Sequence, residues 1–130
     1  MVTLTAELLR DTTQCSLSVA RVWAPHVNEA LHLFGIDAPA RAAAFLAQVS
    51  HESGQLSRVR ESLYYSTAAR LCAVWPSRFP TVESALPFAG QPEALGDKVY
   101  GGRMGNTKPG DGLRYCGRGL IQVTGRAGYV

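Results

Sequence analysis

Apolar residues recur at helical spacing through the first two-thirds of the chain. Trp23, Val27, Ala30, Leu31 and Phe34 fall at i, i+4, i+7, i+8 and i+11, which predicts one face of a helix. Pro25 suits the first turn of that helix and Gly35 its stop. Before it, Thr5 is placed to cap a short helix containing Leu8 and Leu9. After it, Asp37 and Pro39 open a further helix with Ala42, Phe45, Leu46 and Val49 as its apolar stripe, ended by Ser53-Gly54. Ser66 is the expected cap of a helix running through Leu71 to Trp75, which Pro76 closes. Two shorter helical pieces follow near Val82–Ala89 and Glu93–Val99. Trp23 and Trp75 are assigned to the core.

The last third reads differently. Eleven of the 13 glycines lie between Gly90 and Gly128, so turns and close-packed loops replace long helices. Lys108-Pro-Gly-Asp-Gly112 is a turn signal, and Leu120–Thr124 is a short extended candidate. The expected fold class is mainly α, with a glycine-rich loop and short β region. At 130 residues the chain is long enough for one core, and residues 1–130 are read as a single domain.

Charge sharpens this division. Residues 1–97 carry a net charge of −2, while residues 98–130 carry six basic side chains against Asp111 alone, a net of +5. A basic terminal third suits a polyanionic partner such as an anionic cell-wall polymer, and ordinary solvated surface charge explains it equally well. No nucleic-acid recognition motif accompanies the charge, so nucleic acid is not expected as a partner. Charged residues are 18% of the chain, too few for a disordered polyelectrolyte. No apolar run approaches the roughly 20 residues of a membrane span, and Met1–Asp11 carries charge where a signal peptide would be apolar. The expectation is a soluble monomer, cytoplasmic in the producing cell, without stable membrane insertion. Cys15, Cys72 and Cys116 show neither disulfide nor zinc-ligand spacing and read as small buried hydrophobes.

Glu52 is the residue with most chemical content. It follows Val49 by three and Phe45 by seven positions, which places a carboxyl on the apolar face in the last helical turn. Burial and the negative helix end both favour the protonated form, as a general acid requires. The competing reading is a structural ion pair with Arg58 or Arg60. Glu61 follows nine residues later. On one continuous helix the two would point to opposite sides, but Gly54 breaks the helix, so the chain can turn back and face them across a groove. One carboxyl in an apolar setting and one on a polar loop suit glycoside hydrolysis. A solvated glutamate beside Arg60 is the bland alternative for Glu61.

Four segments carry a resemblance. Ala44-Phe-Leu-Ala-Gln-Val-Ser-His51-Glu52-Ser-Gly54 and Glu61-Ser-Leu-Tyr-Tyr-Ser66 resemble glycoside hydrolase family 19. So do Val99-Tyr100-Gly-Gly-Arg103-Met-Gly-Asn106 and Gly112-Leu-Arg114-Tyr115-Cys-Gly117-Arg118-Gly119-Leu-Ile-Gln122-Val-Thr124-Gly125. The chain looks most similar to the phage and prophage endolysin branch. The resemblance implies a lysozyme-like α-helical domain. The family continues with further helices after the Gln-x-Thr-Gly segment, so those helices are expected to be missing and the domain incomplete. It also implies an inverting enzyme that cuts β-1,4 bonds next to N-acetylated amino sugars, with no metal or organic cofactor.

By position, Glu52 matches the general acid and Glu61 the general base that activates a water. Thr124 would help to hold that water, and Gln122 matches a sugar-contacting glutamine. Tyr100 and Asn106 would line the groove. His51 could orient the acid, or bond to backbone. Arg118 could bind a carboxylate, either the substrate's or Glu61 itself. Tyr64, Tyr65 and Tyr100 suit sugar stacking and core packing equally. The expected substrate is a polysaccharide: peptidoglycan, cleaved after the protein's release to the wall, or alternatively chitin. A reading of another class is an incomplete fragment that binds wall glycan without cutting it.

Overall fold

A computed structural model describes residues 1–130. The chain is mainly helical, with β pairing limited to isolated bridges between Arg60 and Arg118 and between Arg118 and Val123. It forms two compact units. The first comprises Met1–Val59 with Gly119–Gln122, and the second comprises Arg60–Arg118 with Val123–Val130. No helix is long and apolar enough to cross a membrane.

The first unit is built from α1 (Ala6–Thr13), α2 (Leu17–Leu33) and α3 (Pro39–Ser53). Thr5 caps α1 by accepting from the Leu8 amide, as the sequence predicts. Leu9, Ala20, Ala24, Val27, Leu31, Ala42, Leu46 and Val49 fill the core. Asn28 fastens the N-terminal segment to α2: its amide accepts from Leu4 N and donates to Leu4 O, both at 2.8 Å. Ser50 Oγ donates to Thr13 O at 2.8 Å and joins α3 to the end of α1.

Two details of α2 differ from expectation. The helix begins at Leu17, capped by Ser16, so Pro25 lies in its interior and not in its first turn. Pro25 is exposed, and its missing N–H costs one bond on the solvent side, where water can satisfy the Arg21 carbonyl. The buried stripe is Ala20, Ala24, Val27 and Leu31. Trp23 and Ala30 sit half-buried on its flank, and Phe34 is 71% exposed at the C-cap. Trp23, Phe45, Leu120 and Ile121 help to line an apolar cleft of about 270 Å³ in this unit.

In the second unit, α4 spans Ala68–Val74, α5 Val82–Ala85 and α6 Pro92–Tyr100, with a 3-10 turn at Leu86–Phe88. Two short helices follow, α7 (Asp111–Arg114) and α8 (Arg126–Tyr129). Thr67, not Ser66, caps α4 by accepting from Arg70 N. Leu63, Leu71, Phe79, Ala85, Leu95, Val99 and Cys116 form the core, with Trp75 and Tyr65 packed against it. The α6–α7 crossing depends on glycine: a Cβ on Gly112 would overlap the Gly96 carbonyl, and one on Gly96 would lie 2.6 Å from Leu113 N. Of the expected extended segment Leu120–Thr124, only Val123 pairs in β fashion, and Leu120–Gln122 is a turn. Arg118 and Val123 exchange backbone hydrogen bonds at 3.1 and 2.9 Å, and the residues between them form the turn.

Candidate active site

Glu52 lies at the end of α3, where Gly54 takes a left-handed conformation and stops the helix. It is exposed, which corrects the expectation of burial. The stripe that α3 buries is Ala42, Leu46, Val49 and Ser53. At about 100° per residue, Glu52 stands about 90° to one side of the centre of that stripe, and His51 about half a turn from it. Phe45 is itself a flanking, half-buried residue, so spacing from Phe45 pointed past the core. Ser53 takes the buried position, donating to Val49 O at 2.6 Å and accepting from Leu56 N at 2.8 Å.

Glu52 makes no ion pair with Arg58, whose guanidinium lies over Gly54 at the negative end of the helix. Its Oε1 accepts from Gln48 Nε2 at 2.8 Å, one turn earlier on the same face, and not from the exposed His51.

Glu61 is half-buried in the second unit and far more tightly held. Its backbone N donates to Gly117 O at 2.7 Å. Its Oε2 accepts from Gly117 N at 3.1 Å, and its Oε1 accepts from the Tyr100 hydroxyl at 2.5 Å. It is therefore neither a solvated loop glutamate nor a partner of Arg118. The Arg118 Nη1 donates to Arg114 O at 2.6 Å and to the Tyr129 hydroxyl at 3.0 Å. Burial, followed by the hydrogen bond and charge of Glu61, pushes the Tyr100 phenol well above its ordinary value. Glu61 lines a cleft of about 380 Å³ with Arg60, Ser62, Leu63, Tyr64, Pro92 and Leu113.

The other predicted residues separate by burial. Asn106 is only 1% exposed: its Nδ2 donates to Tyr100 O at 3.1 Å and its Oδ1 accepts from Arg126 N at 2.9 Å. It braces the loop after α6 and does not present its amide to solvent. Tyr65 packs edge-on against Trp75, whereas Tyr64 is exposed along the cleft. Gln122 is half-buried in the turn after Arg118, with a positive φ of 55° and its Nε2 donating to Gly119 O at 3.1 Å. Thr124 is half-buried in the second unit. No group of three His, Cys, Asp or Glu side chains is clustered to hold a metal ion.

Sequence reasoning missed the Tyr100–Glu61 bond, because the partners are 39 residues apart and no local pattern joins them. It also missed the clasp between Asp111 and Arg126, where Nη2–Oδ1 is 2.8 Å and Nε–Oδ2 is 3.1 Å.

No family model matches the chain. A curated protein of Haemophilus influenzae, named glycosyl hydrolase family 19 domain-containing protein, is 43% identical to it over 90 residues. The alignment covers 68% of this chain and 44% of that relative, so the chain spans under half the relative's length. The match supports glycoside hydrolase family 19. Of the two glutamates in the family 19 resemblance, Glu52 lies in the first unit and Glu61 in the second. Tyr100, Asn106, Arg118 and Thr124 share the second unit with Glu61, whereas His51 and Gln122 lie in the first.

Proposed function

We propose that this chain is a family 19 glycoside hydrolase domain that cleaves β-1,4 bonds of peptidoglycan by an inverting mechanism. Glu61 is the general base. The observation that carries this role is its carboxylate, fixed at both oxygens by uncharged donors and lining an open cleft. A carboxylate offers about four lone-pair sites, and two remain to take a proton from water. Thr124 helps to hold that water.

Glu52 is the general acid that protonates the leaving oxygen. It is exposed in the free chain, and a bound sugar would cover it and exclude water. Gln122, His51 and Arg118 are the proposed sugar contacts. The net charge of +5 in residues 98–130 supports an anionic wall polymer over neutral chitin.

Purified peptidoglycan and chitin oligosaccharides, each incubated with the chain and assayed for new reducing ends, test this reading. Glu52→Gln and Glu61→Gln should each lower turnover about a thousandfold or more while the fold persists. Thr124→Val should cost about ten- to a hundredfold, the scale of a group that only positions water. Near-normal turnover by folded Glu61→Gln would remove Glu61 from the mechanism. Faster cleavage of chitin would move the substrate to chitin, and wall binding without new reducing ends would make the chain a glycan-binding domain.

A further inference from the structure

We propose that Tyr100 is a positioning residue for Glu61, acting through the carboxylate and not as a sugar-contacting side chain. This rests on the reading of Glu61 as a base. Tyr100 closes α6, and its hydroxyl donates to Glu61 Oε1 at 2.5 Å while Gly117 N holds Oε2 at 3.1 Å. Two donors on two oxygens fix the rotation of the carboxylate plane, which one donor alone would leave free. The Tyr100 carbonyl is itself held by the buried Asn106 amide, so the end of α6 is fixed from behind. The hydroxyl's single proton is given to Glu61, and the ring is half-buried.

No charged side chain competes for this carboxylate within the unit. Arg60 precedes Glu61 in the chain, and its bridge partner Arg118 has its guanidinium engaged by Arg114 O and Tyr129. Tyr65 and Cys116 are the other titratable groups that interact with the Tyr100 phenol. None of the ion pairs in the molecule includes Glu61. The phenol is a neutral donor across the physiological range, so the carboxylate is oriented without being neutralised. An arginine in its place would orient Glu61 but weaken it as a base.

The test uses Tyr100→Phe, which keeps the ring and removes the hydroxyl. On the glycan that the wild type cleaves, kcat should fall about ten- to a hundredfold with KM changed less than about threefold. A raised KM with unchanged kcat would overturn the proposal and make Tyr100 a sugar contact. A second readout needs no turnover. In 13C-tyrosine NMR titrations the Tyr100 phenol should ionise well above 10.0, and Glu61→Gln should move it measurably back toward that value. An unmoved phenol would overturn the coupling. Failure of the underlying reading is distinguishable: Glu61→Gln would then keep wild-type turnover while the phenol still moved, showing contact without catalysis and overturning Tyr100's role.

Discussion

Asp111 is 3% exposed and yet well suited to carry charge. Arg126 meets it with two nitrogens, and the Thr107 and Lys108 amides donate to Oδ2 at 3.1 and 3.0 Å. The Arg126 hydrogen bond, against an opposing desolvation effect, holds the Asp111 carboxyl below its ordinary value of 3.8. A depressed folded-state value means that the clasp stabilises the fold at neutral pH. That contribution is lost as pH falls below 3.8 through the folded-state value. Asp111→Asn should lower Tm by several degrees at pH 7 and flatten the dependence of Tm on pH in the acid range, read by circular dichroism. An unchanged Tm at pH 7 would contradict this. Nothing local announced the clasp: Asp111 fell within a turn signal and residues 98–130 showed only a net basic charge, because residues 15 apart meet only after the loop closes. Glu52 failed in the opposite way, since a plausible local pattern placed it on the apolar face, whereas it stands about 90° from where the core lies.

Elements were legible where local chemistry fixes an end. Thr5, Pro39 and Gly54 punctuate helices much as their residue types require. They were less legible where tertiary context overrides local preference. Pro25 signals a helix start, but an exposed interior position tolerates it, so α2 begins eight residues earlier at Leu17. The α6–α7 contact lay beyond local reading, because glycine density reveals flexibility but not which two backbones touch. That contact makes a sharp prediction. Gly112→Ala should destabilise the second unit by about 1–3 kcal/mol or more, because the new methyl meets the Gly96 carbonyl and backbone cannot yield as a side chain can. Gly35→Ala has open space around its Cβ and should cost less, with only the strain of φ 60° to bear. Equal denaturation midpoints for the two variants would contradict the packing argument.

For the whole molecule, the helical class and the family resemblance were both readable in the sequence, and the relative from Haemophilus influenzae supports the second. The setting of each glutamate was not. The hydroxyl that holds Glu61 comes from a distant helix end, whereas Glu52 stands exposed at the end of α3. The central claim is that Glu61 activates water for an inverting displacement, and the anomer of the first product tests it most directly. Proton NMR of a β-1,4-linked N-acetylated oligosaccharide cleaved by the chain, recorded before mutarotation, should show the α-anomer first. Glu61→Gln should give no product on the same timescale. A β-anomer appearing first, or product from Glu61→Gln at the wild-type rate, would contradict the account.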